Sequence, residues 1–361
     1  CQSVADPVLG YSVDRNYLIF GDHMSERLVT GGDIDVTEAV AEGDALLFAR
    51  GQQDSFSCGG SAAGDFWVDG VDDLVLHSSL HRYQYQARPG AFHVISGAAI
   101  AGLRGATQPI VYEDLLASGS VKTFLSLFDH VFGGTAVALG DVNGDGMDDL
   151  LMRTSPHNYQ DQLFQAGESY VVFGDPTHNA LSANGFGPDL NETNTQGIYL
   201  YHETTSTSTG AHILGSTRYN AEIMALYSAA DIDGDGLQDL MLAQGNSDGD
   251  GLIRSGETYI IFGKSIGAGD RIRLGDVGSS VEGVTLIGID ERDAAGTTAQ
   301  VGDFNGDGQL DLAIAAPRAY PYGVQRGGEV YLISGNQLQD FVDPDGRTRL
   351  SAIFPAMADP D

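Results

Sequence analysis

The sequence predicts an all-β fold, a β-propeller built from four-stranded antiparallel blades, and three observations support this class. One pattern recurs along the 361 residues: an Asp/Gly-rich turn, an apolar run, a variable loop, and a second apolar run that ends in glycine. The apolar runs are short β-branched or aromatic segments bounded by glycine, which is typical of buried strands. Glycine accounts for 49 residues, about twice the usual share, and indicates many tight turns.

The repeat has three clear copies and an eroded one upstream. The turns read DFWVDGVDDLVL, DVNGDGMDDLLM, DIDGDGLQDLML and DFNGDGQLDLAIAAP, and the closing strands read GAFHVISG, GESYVVFG, GETYIIFG and GEVYLISG. From the second glycine of each turn to the closing glycine, the separations are 27, 28, 27 and 27 residues. This constancy indicates one rigid unit of about three strands, to which the linker adds a fourth, outer strand. A β-sandwich fold, in contrast to a propeller, gives no reason for the same turn to recur along the chain.

We expect one domain over residues 1–361. Its repeat units are predicted at about 22–97, 98–174, 175–263 and 264–335, with 336–361 and 1–21 as a closing blade that contains YLIFG. This division gives about five blades, and part of a six- or seven-bladed ring stays an alternative. The tail has a second interpretation as an outer linker, because DGRTRLSAI (345–353) is similar to GDRIRLGDV (269–277).

Each of the three clear turns places oxygen-bearing side chains at positions 1, 3, 5 and 9, and can offer a backbone carbonyl at position 7. Glycines let the chain turn back tightly, so that alternate side chains converge. Several hard oxygens around one centre suit Ca²⁺ better than Mg²⁺. Turns rich in Asp, Asn and Gly are common without metal, but one ligand spacing in three copies favours about three calcium ions. The predicted ligands are Asp141, Asn143, Asp145, Met147 and Asp149; Asp231, Asp233, Asp235, Leu237 and Asp239; and Asp303, Asn305, Asp307, Gln309 and Asp311.

Two further metal candidates are weaker. The eroded turn keeps Asp65, Asp69, the Val71 carbonyl and Asp73, but Trp67 at position 3 cannot ligate and Val68 replaces a glycine. The segment NSDGDGLIRSGE fits a twelve-residue calcium loop, with Asn246, Asp248, Asp250, the Leu252 carbonyl and Glu257 as ligands. Against it, Glu257 belongs to the Gly-Glu pair that opens a closing strand, as Glu168 and Glu329 do in the sister repeats.

The NGDG turns and the FG-type strand endings resemble FG-GAP repeats, the units of the integrin alpha-chain propeller. The resemblance covers residues 17–336. It implies blades around an axis, calcium in the hairpins of one face, and an adhesion or partner-binding surface. Similar repeats occur in microbial cell-surface proteins and in some lectins, so a sugar-binding propeller is the first alternative function.

Charge and cysteine content limit the partners and the compartment. Eighteen Lys and Arg stand against 50 Asp and Glu, a formal net charge of −32, which excludes nucleic acid and anionic membrane as main partners. The sequence contains no run of 18 apolar residues, the length that would span a membrane. Two cysteines do not make a disulfide scaffold; Cys1 is interpreted either as a lipid anchor or as a disulfide partner of Cys58. Both interpretations favour an extracytoplasmic protein at the cell surface, in the periplasm or secreted.

No nucleophile motif, phosphate loop or dinucleotide fingerprint occurs, so we predict a non-enzymatic interaction or adhesion module that binds a protein or a surface glycan. A polysaccharide hydrolase or lyase on this scaffold is the second alternative. Successive turns of an antiparallel meander lie at opposite ends, so the loops after each Asp turn should share the other face. Those loops carry Arg and Tyr, the types enriched in interfaces. The candidate partner residues are Arg82, Tyr83, Tyr85, Arg88, Arg153, Tyr159, Arg318, Tyr320, Tyr322 and Arg326.

Overall fold

A computed structural model of the chain describes the following residues: 2–5, 12–20, 35–49, 62–78, 91–126, 132–154, 158–159, 163–164, 168–174, 198–200, 210–215, 225–320, 327–335 and 346–354. The chain divides into two compact units. The first comprises Cys1–Ala136 with Asp175–Glu203, and the second comprises Val137–Gly174 with Thr204–Asp361. The single domain predicted over residues 1–361 requires the two units to join, and it stays a prediction.

The described residues are mostly β-strand, as the sequence predicts. The strands of the first part of the chain are β1 (Gln2–Ala5), β2 (Ser12–Ile19), β3 (Ala45–Ala49), β4 (Ala62–Gly64), β5 (Asp73–Ser78), β6 (Ala91–Ile95), β7 (Ile110–Val111), β8 (Val121–Ser126), β9 (Phe132–Gly140), β10 (Asp149–Thr154), β11 (Asn158–Tyr159) and β12 (Leu163–Phe164). The remaining strands are β13 (Glu168–Val172), β14 (Ile198–Leu200), β15 (Gly210–Leu214), β16 (Ala225–Ala230), β17 (Asp239–Gln244), β18 (Glu257–Ile261), β19 (Arg271–Arg273), β20 (Gly283–Ile287), β21 (Thr298–Gly302), β22 (Asp311–Ala316), β23 (Glu329–Ile333) and β24 (Arg347–Arg349).

Short helical segments connect the strands. The α-helices are α1 (Val36–Glu42), α2 (Gly97–Gly102), α3 (Tyr112–Ala117) and α4 (Leu350–Ile353), and single 3-10 turns lie at Gly249–Gly251, Gly263–Ser265 and Leu274–Asp276. In the part of the chain that the structure describes, no helix has the length and apolar character needed to span a bilayer.

Three sheets share one arrangement, a meander of four strands with a fifth strand added at its edge. Their spatial orders are β4-β5-β6-β8-β14, β9-β10-β13-β15-β19 and β16-β17-β18-β20-β24. Two further sheets, β1-β2-β3-β7 and β21-β22-β23, contain part of it. The register repeats as well: the leucine after each Asp-rich turn pairs with the residue two before the closing glycine, as Leu74↔Ile95, Leu150↔Val172, Leu240↔Ile261 and Leu312↔Ile333.

The linkers supply the fourth strand of these sheets, as the sequence predicts. β8, β15 and β20 pair antiparallel with β6, β13 and β18. The fifth strand is an addition that the sequence pattern does not reveal: β14, β19 and β24 pair in parallel with β8, β15 and β20. These strands have three residues each, which is too short for any periodicity to be visible.

The described part of the C-terminal tail takes the place of an outer linker. Arg347–Arg349 pairs in parallel with β20 and is followed by a helical turn, as Arg271–Arg273 pairs with β15 and is followed by one. The likeness of 345–353 to 269–277 therefore has a structural basis. Tyr17 lies in a different sheet, between β1 and β3. The closing blade formed by 336–361 and 1–21 stays a prediction.

Burial on both faces explains why the strands after the turns are continuously apolar. In the second unit, Leu240 and Leu242 of β17 pack in one core with Leu151 and Val171 of the preceding sheet. Met241, between them, packs in another core with residues of β22 and β23. Because successive side chains point to opposite faces, a sheet covered on both sides needs an apolar residue at every position.

The Gly-Glu-x-Tyr opening of the closing strands forms a hydrogen-bonded pair. The Tyr259 hydroxyl donates to Glu257 Oε2 at 2.7 Å, and the Tyr331 hydroxyl donates to Glu329 Oε2 at 2.6 Å. Residues i and i+2 lie on one face of a strand, so the glutamate satisfies the buried hydroxyl. The repeated glutamate thus has a structural role.

Candidate metal centres

The Asp turns, defined as residues 65–73, 141–149, 231–239 and 303–311, are folded around the carboxylate at position 1. Asp141 accepts the Gly144 and Gly146 N–H groups at 2.7 Å each, one on each oxygen. The equivalent contacts of Asp231 are 2.7 and 3.0 Å, and those of Asp303 are 2.7 and 2.9 Å. Each turn therefore closes on its own first side chain, which explains why a short local pattern fixes its shape.

The carboxylate at position 9 joins each turn to the closing strand. Asp239 Oδ1 accepts the N–H of closing glycine Gly263 at 3.0 Å, while Oδ2 accepts the Ile232 N–H at 2.7 Å. Asp73, Asp149 and Asp311 bind Gly97, Gly174 and Gly335 in the same way, at 2.8, 3.0 and 3.1 Å. This bond accounts for the constant spacing between turn and closing glycine.

The closing position has no room for a larger residue. A Cβ atom placed on Gly263 would lie 2.5 Å from the Gln238 carbonyl oxygen, and one on Gly174 would lie 2.7 Å from that of Asp148. The close approach of the two backbones therefore requires glycine. The sequence pattern indicates that these glycines end the closing strands, but it reveals neither this contact nor the bond to position 9.

Burial raises the pKa of three of the four position-9 carboxyls. At Asp311, burial is outweighed by hydrogen bonds from the Gly335 and Phe304 N–H groups, which lower the pKa. Asp73, Asp149, Asp239 and Asp311 are all nearly inaccessible to solvent. Burial raises the pKa of Asp149 to about 7 and that of Asp73 to about 6. On each carboxyl, two backbone N–H donors lower the pKa and the neighbouring carboxylates raise it. Burial raises the pKa of Asp239 as well. A nearby cation would favour the charged forms.

The donor atoms of the turns suit a hard cation. The ligand atoms of Asp231, Asp233 and Asp239 lie within 4.8 Å of one another. In the other two complete turns position 3 is an asparagine, and its amide donates to the position-5 carboxylate, Asn143 to Asp145 at 2.9 Å and Asn305 to Asp307 at 3.0 Å. Carboxylate and amide oxygens are the ligands that Ca²⁺ prefers, so these residues fit calcium.

The backbone N–H groups at position 7 also face the turn. Those of Met147, Leu237 and Gln309 donate to the position-5 carboxylates at 3.0, 2.9 and 2.9 Å. The carbonyl ligands assigned to these residues, and the ligand sets as a whole, stay predictions.

Comparison with known families agrees with this geometry. The profile of the FG-GAP repeat family matches residues 133–172 and 295–333. Each match begins at the strand before an Asp turn and ends in the closing strand. The chain carries FG-GAP repeats. FG-GAP repeats are propeller units, so the fold class is a β-propeller, and its blade number stays a prediction.

The relatives to which the chain is similar include proteins named phosphatidylinositol-glycan-specific phospholipase D. The chain is 25% identical to the Dictyostelium discoideum protein over 55% of its own length and 19% of that protein. It is 25% identical to the Bos taurus protein over 64% and 24%, and 28% identical to the Rattus norvegicus protein over 54% and 20%. The chain thus spans no more than about a quarter of these relatives.

The eroded repeat keeps the shape of the turn without the oxygen at position 3. Asp65 accepts the Asp69 and Gly70 N–H groups at 2.9 Å each, and Asp73 accepts the Trp67 N–H at 2.9 Å. The Val71 N–H donates to Asp69 at 3.0 Å. Trp67 is buried, so the turn has an apolar anchor where its sisters have a polar side chain. Calcium binding at this turn stays a prediction.

Val68 occupies a backbone conformation that its sister repeats reserve for glycine. Its φ is +55°, and the glycine at the same position of the last turn, Gly306, has a φ of +78°. A β-branched residue is disfavoured there by roughly 1–2 kcal/mol. We expect Val68→Gly to raise the free energy of unfolding by about 1 kcal/mol, measured by urea denaturation.

The matched control for Val68→Gly is the reverse change, Gly306→Val. No atom lies within 4 Å of a Cβ placed on Gly306, so its effect reports backbone conformation alone. We expect it to lower stability by a similar amount. A neutral result in both variants would contradict the assignment of strain.

The twelve-residue segment 246–257 forms a different structure from the FG-GAP turns. Glu257 Oε1 pairs with Arg347 Nη2 at 2.8 Å, and Asp250 Oδ2 pairs with Arg349 Nε at 3.2 Å. Asp248 Oδ1 accepts the Arg254 N–H at 2.8 Å. Glu257 and Asp250 thus hold the edge strand β24 to the sheet, which gives them a role without metal. Metal ligation by this segment, including Asn246, Asp248 and the Leu252 carbonyl, stays a prediction.

The predicted partner residues fall partly within the described chain. Arg153 lies in β10 and Tyr159 in β11, while Arg318 and Tyr320 are exposed after β22. Arg82, Tyr83, Tyr85, Arg88, Tyr322 and Arg326 lie outside the described residues, as do Cys1 and Cys58.

Proposed function

We propose that the chain is a calcium-stabilised, extracytoplasmic protein-interaction module. The observation that carries the proposal is a set of backbone contacts that the three complete Asp turns share. In each, the glycines at positions 4 and 6 donate to the position-1 carboxylate, and the closing glycine donates to the position-9 carboxylate. A divalent cation at such a turn would offset the repulsion among its carboxylates and hold the hairpin closed. The sheets would then form a rigid support for loops that bind a partner.

In the second unit, the described loops proposed to bind a partner follow β17, β20 and β22, and backbone hydrogen bonds connect them. The Arg292 N–H donates to the Ile253 carbonyl at 2.8 Å, and the Arg318 N–H donates to the Asp293 carbonyl at 3.2 Å. Among the described residues, five non-glycine residues have a positive φ, and three of them, Arg254, Arg292 and Ala294, lie in this group of loops. Strained backbone persists where the surroundings fix it, and it clusters at functional sites.

The exposed side chains of these loops favour a protein partner. Ile253 is 46% exposed and Tyr320 is 42% exposed, and Arg254, Arg292 and Arg318 are exposed beside them. Interfaces between proteins are enriched in aromatic residues and arginine. We therefore place the partner face on these residues, in line with Arg318 and Tyr320 of the sequence prediction. A surface glycan is the alternative ligand.

The test is capture of a native partner by the triple variant Arg254→Ala, Arg318→Ala, Tyr320→Ala. We expect capture from the native envelope fraction to fall at least tenfold, because each anchor removed from an interface costs about 1 kcal/mol or more. The control variant is Arg273→Ala with Val330→Ala, which removes an exposed arginine and an exposed apolar residue outside both these loops and the Asp turns. Equal capture by both variants would place the interface elsewhere, and glycan-array binding without a protein partner would favour the lectin.

A second candidate function comes from the named relatives, which are phospholipases specific for phosphatidylinositol-glycan. The chain would then be the part of such an enzyme that contains FG-GAP repeats. Release of a glycosylphosphatidylinositol-anchored reporter by the purified chain would show instead that the chain is itself catalytic. We propose that the chain alone is not catalytic.

A further inference from the structure

Lys264 lies at the mouth of the 231–239 turn. Its Nζ atom is 3.1 Å from Asp233 Oδ2 and 3.9 Å from Asp235 Oδ2, the oxygens at positions 3 and 5. The ammonium also lies 3.5 Å from Glu282 Oε2 and 5.0 Å from the centre of the Phe262 ring. A cation of the protein itself thus contacts two of the predicted metal ligands.

This lysine is specific to one repeat. It follows the closing glycine Gly263 directly, and the residues at the same position of the other repeats are Ala98, Asp175 and Asn336, none of which is positively charged. The chain has only one other lysine, Lys122. In a protein with a net charge of −32, a lysine at one Asp turn distinguishes that turn from its sisters.

The position of Lys264 has two opposite consequences. Without metal, the ammonium offsets the repulsion among Asp231, Asp233 and Asp235, and its hydrogen bond to Asp233 raises the pKa of the lysine itself. With metal, the same charge repels a divalent ion bound a few ångströms away, and the ammonium and the ion must share one oxygen of Asp233. The ammonium has a second acceptor in Glu282, to which it can turn.

We propose that Lys264 is the resident counter-cation of the 231–239 turn, which therefore keeps its shape without metal and binds calcium more weakly than the 141–149 and 303–311 turns. The second half of this statement rests on the proposed calcium function; the first half does not. One chain would then combine metal-dependent turns with a turn that is largely independent of metal.

The test compares Lys264→Gln with the matched charge control Lys122→Gln, in the full chain. In excess chelator we expect Lys264→Gln to lower the melting temperature by a few degrees, and Lys122→Gln to leave it unchanged. In calcium titrations followed by calorimetry and native mass spectrometry, we expect wild type to bind one ion more weakly than the others. Lys264→Gln should tighten that ion about tenfold, the scale of a unit charge at this distance in a solvated site.

A second variant locates the effect. Adding Asp235→Ala to Lys264→Gln should abolish the gain in affinity if the ion is bound at this turn. The proposal is overturned if Lys264→Gln changes neither the melting temperature in chelator nor any calcium affinity, or if its gain survives Asp235→Ala. If no variant binds calcium, the proposed function fails, and the lower melting temperature in chelator still tests the resident cation.

Discussion

Excess chelator is expected to lower the melting temperature of the second unit by roughly 10 °C or more, and that of the first unit far less. All three complete Asp turns, 141–149, 231–239 and 303–311, belong to the second unit, and the eroded turn 65–73 belongs to the first. A ligand present at 100 times its dissociation constant stabilises the native state by about 2.7 kcal/mol per site. Two or three such sites in one unit account for the expected shift.

The two units can be followed separately in one sample. Trp67 is the single tryptophan of the chain and is buried in the first unit, so its fluorescence reports that unit. Hydrogen exchange of the peptides that contain β10, β17 and β22 reports the second. Calcium should restore protection of these peptides better than magnesium, because the turns offer many oxygen ligands. Unchanged exchange in chelator, with metal confirmed absent, would contradict calcium stabilisation.

The repeated turn and its strands are predictable because their determinants are local. Asp141 reaches the N–H groups of Gly144 and Gly146 within five residues, so the sequence pattern contains the whole structure of the turn. The strands that follow are buried on both faces, and their continuous apolar runs therefore mark them. The FG-GAP resemblance and the β-propeller class both rest on these local features.

The features that the sequence did not reveal depend on contacts between distant segments. The pairing of Arg347 with Glu257 joins residues 90 apart, and nothing in NSDGDGLIRSGE indicates that its carboxylates meet arginines of the tail. The edge strands β14, β19 and β24 are fixed by their sheets rather than by their own composition. The sequence shows Lys264 only as one of two lysines, and the structure places its ammonium beside Asp233.

The other large effect is expected for Asp239→Ala, which should destabilise the second unit by about 3 kcal/mol or more even in chelator. Asp239 is fully buried and accepts three backbone N–H groups, those of Ile232 at 2.7 Å, Asp233 at 3.1 Å and Gly263 at 3.0 Å. Truncation leaves these donors without an acceptor, and each unsatisfied buried donor costs about 1–3 kcal/mol. The turn and the closing strand would separate whether or not calcium is present.

The control, Asp235→Ala, separates this structural role from ligation. Asp235 is exposed, and its carboxylate accepts one backbone N–H, that of Leu237 at 2.9 Å. In chelator we expect Asp235→Ala to cost less than about 1 kcal/mol, while in calcium it should lose about one bound ion per chain. Urea denaturation in chelator and in calcium, with metal content measured by mass spectrometry, distinguishes the two variants. Equal stability of Asp239→Ala and Asp235→Ala in chelator would show that position 9 acts only through the metal. The backbone hydrogen bonds of Asp239 should stabilise the fold even when no ion is bound.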